Sequence, residues 1–360
     1  MDFSPGTLQV YDKENALTTQ AAIKPLTLEY VKTIGITNNA PVGRGFHHPV
    51  DLVTSRDGRI FVLNRGLVQG GRGRLTRVGV CNLDEDYLHE FGSFGQGDGQ
   101  FEFATAIAMD SRERIYISDE YLHRISVFDT EGQFLSKWGT FGSGDGEIDG
   151  PSGLAFDSDD NVYLVDQNNH RVQKFTSDGR FLMTWGEEGS GEGQLNMPWG
   201  ITLDSDGNVY VADWRNDRIQ KFTSEGAFLA VFRESGEADG QLHRPSDVAV
   251  DGDGNVYVAD WGNERVQVFG PGGEFLLKLR GEATVSKWAA DFFEANPDEK
   301  RERDVSNLLP DLPSHLQTPY HISSQSEPYF WGPVAVVLDD PDHLYVVEHS
   351  RHRFQVYRRR

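Results

Sequence analysis

Three stretches of this chain repeat one another at a constant interval: Pro151-Ser152-Gly153-Leu154-Ala155-Phe156-Asp157, Pro198-Trp199-Gly200-Ile201-Thr202-Leu203-Asp204 and Pro245-Ser246-Asp247-Val248-Ala249-Val250-Asp251, spaced 47 residues apart. A period of this size means that one supersecondary unit is stacked on copies of itself. Positions that recur serve the fold. Positions that break the recurrence are where function is to be sought.

Each unit reads as four short strands, a to d. In the copy beginning at Pro151 these are Gly153 to Phe156, Asn161 to Val165, Arg171 to Phe175 and Phe181 to Trp185, with Asp- and Gly-rich turns after a and c. Such runs are hairpin signals. Strand b is apolar on both faces (Val162 and Leu164 on one, Tyr163 and Val165 on the other), as in a sheet packed between two others. Weaker copies occur at Pro49 to Leu63, Ala104 to Phe128 and Pro333 to Tyr357, making six. The last copy lacks strand d, and Tyr30-Val31-Lys32-Thr33-Ile34-Gly35 matches Phe181 to Gly186 position by position. An N-terminal strand that completes the last blade removes the open edge. The expected fold is therefore all-β, a six-bladed propeller over residues 28–360 preceded by an arm at 1–27.

These residues carry a resemblance. Pro-x-Gly-Leu-Ala-x-Asp, then Asp166-Gln167-Asn168-Asn169-His170-Arg171-Val172-Gln173-Lys174-Phe175, resembles the NHL repeat. The resemblance covers the chain from about residue 28 onward, apart from one insertion, and it implies the fold; NHL propellers serve many functions.

Acidic residues outnumber basic ones by 56 to 34, a formal net charge of −22, which repels phosphate backbones and weighs against a nucleic-acid partner. Cys81 is the single cysteine, so there is no disulfide framework, and the first 25 residues hold no apolar run of signal-peptide length. With no membrane-spanning segment legible, the expectation is a soluble, cytoplasmic protein.

Several motifs look chemical and are read as structural. Asp204-Ser205-Asp206-Gly207-Asn208 begins like a calcium loop, but Val209 stands where the sixth-position glycine belongs and Arg215 where the glutamate belongs. The pairs Asp119/Arg124, Asp166/Arg171, Asp213/Arg218, Asp260/Arg265 and Glu348/Arg353 recur at the end of strand b and start of strand c, and are expected to be buried ties.

Strand topology places the b–c loops and d–a linkers on one face, the top, and the Asp-rich hairpins on the other. Both long insertions fall on top. One is the b–c loop of blade 1, Asn64 to Gly73. The other, about 282–328, adds 41 residues between blades 5 and 6. Within it Ser286 caps a helix with Val285, Trp288, Ala289, Phe292 and Phe293 at helical spacing, ended by Asn296-Pro297. The expectation is a partly helical lid over the axis, with Trp288 and Phe292 buried.

Beneath it lie the residues that break the repeat. Arg65, His48, Tyr121 and His349 are the catalytic candidates; Trp199, Arg244, Glu348, Trp214 and Trp261 are the ligand-binding candidates. An arginine, acids, imidazoles and aromatics converging on an apolar funnel suit a small molecule. Arg65 offers paired donors to a carboxylate, and His48 or His349 is the acid–base or metal-binding candidate. Ile60-Phe61-Val62-Leu63-Asn64-Arg65-Gly66 is similar to the first blade of peptidyl-hydroxyglycine amidating lyases, and that resemblance implies an active-site role for Arg65, with Tyr121 in the local context of that family's tyrosine. The family's zinc histidines follow the strand-a prolines; here those places hold Val50, Ser152, Trp199, Ser246 and Val334. A divalent metal on the axis thus stays open but has no ligand spacing behind it. Two readings follow: a lidded small-molecule site, of a lyase or hydrolase kind, or a non-catalytic scaffold for protein partners.

Overall fold

Strand b is the most buried strand of each blade because a neighbouring sheet covers both of its faces: Val162–Asp166, Val209–Asp213 and Val256–Asp260 are buried at every residue. The computed structural model describes residues 26–40, 42–66, 75–233, 235–339 and 342–360, with Arg233 described by its backbone alone. The arm expected at 1–27 therefore lies outside the described residues up to residue 25.

Six four-stranded antiparallel sheets form the propeller. Blade 1 holds Pro49–Thr54, Arg59–Asn64, Arg77–Asn82 and Tyr87–Phe91. Blade 2 runs from Ala104–Met109 to Phe134–Trp138, blade 3 from Pro151–Phe156 to Phe181–Trp185, blade 4 from Ile201–Leu203 to Phe228–Arg233, and blade 5 from Asp247–Val250 to Phe275–Leu279. Blade 6 is built from both ends of the chain. Pro333–Leu338, His343–Glu348 and Arg353–Arg359 are joined by Leu28–Ile34, which pairs antiparallel with Arg353–Arg359, Tyr30 opposite Tyr357 and Ile34 opposite Phe354. The closure read from the sequence is present, and Thr27 and Arg360 extend it by two more backbone bonds, at 3.0 and 3.4 Å.

The core is distributed between blades rather than gathered at a centre. Tyr116, Ile125 and Val127 of blade 2 meet Leu154, Val162 and Leu164 of blade 3. At the closing seam Ile34, Val347 and Phe354 of blade 6 meet Leu52, Ile60 and Val62 of blade 1. Hydroxyls beside the axis add fixed pegs: Thr105 donates to the Pro151 carbonyl at 2.8 Å, and Ser152 and Ser246 donate to the carbonyls of Trp199 and Val334 at 2.9 Å.

The recurring acid–arginine pair clamps each blade to the linker that precedes it. In blade 5 the Arg265 Nε donates to Asp260 at 2.7 Å, while its other nitrogens reach the carbonyls of Glu237, Ala238 and Gln241. Asp260 in turn accepts the His243 backbone N–H at 2.7 Å. Blades 3, 4 and 6 repeat the pair at 2.7 Å. Blade 2 departs from the expectation. Arg124 spends itself on the carbonyls of Gln96, Gly97 and Gln100, and Asp119 accepts four backbone N–H groups, so the two do not pair directly. In blade 1, Asn64 and Arg77 take over the device: Asn64 accepts the His47 N–H at 2.8 Å, and Arg77 donates to the carbonyls of Ala40, Gly43 and Gly45.

A second device runs between blades. His123, His170, Asp217, Glu264 and His352 adopt left-handed backbone at φ between 48° and 56°. Each side chain accepts a backbone N–H from the next linker, those of Gly150, Met197, Arg244, Gly332 and His48 respectively.

The insertion contributes three helices, α1 (Lys287–Ala295), α2 (Pro297–Val305) and α3 (Pro319–Gln325). Ser286 caps α1, accepting from the Ala289 N–H, and Pro297 both stops α1 and opens α2, a position where its missing N–H costs nothing. Trp288 is fully buried: its Nε1 donates to the Glu85 carbonyl at 2.5 Å and its ring packs on Phe46. Phe292, expected beside it in the buried stripe, is 42% exposed. Since Glu85 belongs to the c–d hairpin of blade 1, α1 lies on the outer wall of the blade 6–blade 1 seam. The start of α1 also reaches the d–a linker of that seam, where Ser286 donates to the Gly35 carbonyl at 2.7 Å and Asp291 pairs with Arg44 at 2.6 Å. Helix α3 reaches the top face, where Arg351 of blade 6 donates to the carbonyls of Ser323, Ser324 and Ser326. Among the described residues no helix is long and apolar enough to cross a membrane.

Candidate functional site

The first strands of all six blades surround an axial channel of about 330 Å³. Above it lies a cavity of about 230 Å³ lined by Arg65, Trp199, Trp214, Trp261, His349 and the apolar groups of Val50 and Val334, together with Ser246. Val50, Trp199, Ser246 and Val334 line both spaces. No residue of 282–328 lines either one. The other insertion, in the b–c loop of blade 1, lies outside the described residues over 67–74.

Five of the nine candidate residues meet at this cavity. Trp199 follows the strand-a proline of blade 4, and Trp214 and Trp261 open the 3-10 turns that leave strand b of blades 4 and 5. Their rings form a row, with Trp214 centred 6.5 Å from each of the other two. Arg65 enters from blade 1 and His349 from blade 6. Arg65 is already compensated: its Nη2 donates to Glu120 of blade 2 at 2.6 Å, and its guanidinium lies 5.0 Å from the Phe103 ring centre.

The other four sit elsewhere. Tyr121 is 57% exposed and rests beside Phe103, away from the cavity lining. Glu348 is wholly buried, one oxygen on Arg353 and Gln355 and the other on the Trp331 N–H, and so belongs to the clamp of blade 6. Arg244 lies over the Trp214 ring at 5.1 Å without lining the cavity.

His48, the fourth, is part of an imidazole cluster at the closing seam. Its ring centre lies 4.4 Å from that of His47 and 4.6 Å from those of His349 and His352. The Nδ1 atoms of His47 and His48 are 2.8 Å apart, so one donates and the other accepts. Burial, reinforced by the neighbouring imidazoles, holds His48 down to about 4 and His352 to about 3; His349 is held to about 3 by burial, then His48 and Arg65. All three rings are neutral at pH 7. Among the described residues no group of three or more His, Cys, Asp or Glu side chains is arranged to hold a metal ion.

His48 and Arg244 also share a backbone peculiarity. They occupy left-handed conformations at φ 51° and 50° immediately before a strand-a proline, where Gly150 and Gly332 serve blades 3 and 6. Non-glycine residues there cost on the order of 1 kcal/mol.

Neutral imidazoles that resist protonation carry a stability consequence. Below pH 6.5 the unfolded chain binds protons that these rings refuse, so stability falls as the pH drops from 6.5 toward their folded values. Replacing His349 by Gln should remove about 2 kcal/mol of the stability lost between pH 7 and 4.5, read as the difference in urea midpoints between variant and parent. Parallel declines in the two proteins would mean that His349 protonates freely in the fold.

Two residues that the sequence reading passed over line the channel. Two residues after the strand-a proline (after Ala104 in blade 2), where the other blades carry Ala106, Gly153, Gly200 and Ala335, blades 1 and 5 carry Asp51 and Asp247. Asp51 accepts the N–H groups of Leu52 and Ile107, and Asp247 that of Val336. Burial raises Asp51 to about 7 against those bonds, and raises Asp247 well above the carboxylate range, with the Asp51 charge as the next cause. The signal was present in the repeat itself, as an acid at a position reserved for small residues.

The comparisons with known proteins agree on the architecture. The NHL repeat profile matches residues 149–175, 195–222 and 242–269, the heart of blades 3, 4 and 5. No curated protein matches the chain by sequence. Among solved structures, a streptogramin B lyase aligns over 93% of this chain and 98% of its own, with a TM-score of 0.53 at 10% identity. Virginiamycin B lyase from Staphylococcus aureus aligns over 92% and 99%, with a TM-score of 0.54 at 10% identity. A protein of unknown function from Bacteroides thetaiotaomicron aligns over 93% and 76%, with a TM-score of 0.59 at 15% identity. Likeness at such identities concerns the fold. With its six sheets and its shared closing blade, the chain is a six-bladed β-propeller that carries NHL repeats in blades 3, 4 and 5.

Proposed function

We propose that the protein binds a small molecule at the top of its axis. The observation that carries this reading is the 230 Å³ cavity, where three indoles, Arg65 and His349 from four different blades face one space that shares walls with the channel below. Pockets of this kind, mostly apolar with a few convergent polar groups, are where ligands bind. A lyase or hydrolase activity is the catalytic form of the same reading. Its support is Asp51, a carboxyl that titrates near neutrality and so can exchange a proton with a ligand at working pH. Two of the proteins with this fold are named as lyases, which fits that form. The second reading, a scaffold for protein partners, draws on exposed rim aromatics such as Tyr121 and Phe141.

A thermal-shift screen of small cationic, neutral and anionic compounds distinguishes these readings. Hits on the parent protein should vanish in Ser246→Trp, which fills the cavity, and weaken in Trp214→Ala by about tenfold, the size expected when an aromatic contact worth 1–1.5 kcal/mol is lost. Hits that persist unchanged in Ser246→Trp, or a complete absence of hits, would favour the scaffold.

A further inference from the structure

We infer that the axial site takes an organic cation, an ammonium group seated between the indoles of Trp199, Trp214 and Trp261 and the acidic pair Asp51 and Asp247. The inference rests on the axial-site reading above and adds the charge of the ligand.

The first ground is an uncompensated pair of acids. Asp51 and Asp247 line the channel, and among the described residues neither forms an ion pair with a lysine, arginine or histidine. Their described hydrogen bonds come from backbone N–H groups alone, at 2.8–3.0 Å. This sets them apart from the buried clamp acids Asp166, Asp213, Asp260 and Glu348, each of which has its arginine at 2.7 Å. Burial of the two acids in one confined space keeps Asp247 protonated and leaves the charge on Asp51 above pH 7, and a positive guest is the partner that would compensate it.

The second ground is the wall above them. Trp199 lines both the cavity and the channel, and it begins the indole row that continues through Trp214 and Trp261. Indole faces attract cations through the ring quadrupole, and several such faces around one space are the usual means of holding an alkylated ammonium. The protein already uses this interaction here, since the Arg244 guanidinium lies over Trp214.

The third ground is that the groups suited to an anion are withdrawn. Arg65 is engaged by Glu120 and Phe103, and His349 is kept neutral by burial and by its neighbours. The expectation that Arg65 would take a carboxylate therefore gives way to the opposite polarity. Space for Asp247 has also been left by its neighbour: a Cβ on Gly200 would stand 2.2 Å from the Asp247 Oδ1.

Three compounds of nearly one shape test the charge: choline, the neutral 3,3-dimethylbutan-1-ol and the anion 3,3-dimethylbutanoate. Binding to the full chain is measured at pH 8 and low salt by ligand-observed NMR and tryptophan fluorescence. Choline should bind at least tenfold more tightly than the alcohol, and the carboxylate should bind weakest. Asp51→Asn should reduce choline binding at least tenfold while leaving alcohol binding within twofold. If that variant does not fold, the ranking of the three compounds on the parent chain decides alone. Equal or tighter binding of the alcohol or the carboxylate, still sensitive to Trp214→Ala, would overturn the cation and leave the axial site standing. Absence of binding by all three would overturn both.

Discussion

Deleting residues 1 to 36 should abolish cooperative folding, whereas deleting 1 to 25 should leave it intact. The longer deletion removes Leu28–Ile34, the fourth strand of blade 6, and leaves the backbone of Arg353–Arg359 as an open edge. It also removes Ile34, fully buried among Leu52, Val62, Val347 and Phe354 at the seam between blades 6 and 1. A propeller opened at one seam loses the packing of two blades together, so the effect approaches the whole folding margin of about 5–15 kcal/mol. The exposed strand should pair with other copies and give aggregates. Size-exclusion chromatography with light scattering, followed by thermal unfolding, reads both effects. A monodisperse product with an unchanged midpoint would mean that the ring is held without its closing strand.

The second large effect is expected from Arg265→Met, at about 3–5 kcal/mol. Asp260 has no exposed surface, and burial raises its carboxyl despite the bonds from His243, Asn263 and Arg265. Removing the guanidinium leaves that acid without its counter-charge and frees the carbonyls of Glu237, Ala238 and Gln241 at once. The double variant Asp260→Asn/Arg265→Met should recover part of the loss, because the neutral amide no longer requires a cation. Arg124→Met is the natural contrast, since Asp119 is satisfied by backbone N–H groups and Arg124 does not pair with it. It should cost clearly less. Equal losses in urea denaturation would show that the carbonyl bonds, not the ion pair, carry the clamp.

The division between what sequence and structure each supply follows from distance along the chain. What the repetition carries was legible: the strands, the Asp-Gly turns, the acid–arginine pairs of blades 3 to 6 and the closing role of Tyr30 to Ile34, while the Asp119/Arg124 pair expected in blade 2 does not form. Each is decided within a blade or by repetition of a blade, and local propensity agrees with the tertiary packing there. The cap at Ser286 was legible for the same reason. The course of the insertion was not, because α1 is held by Glu85, some 200 residues earlier, and not by anything near it in sequence. The site is likewise a product of closure. His48 meets His352 across 304 residues, Arg65 finds Glu120 in the next blade, and Asp51 and Asp247 share one channel from blades 1 and 5. Sequence alone could mark His48, Arg65 and the tryptophans as departures from the repeat. Only the ring, by setting the angle at which each blade turns its first strand toward the axis, decided that Glu348 would be buried in a clamp, that Tyr121 would face solvent, and that two aspartates would stand beneath three indoles without a counter-charge.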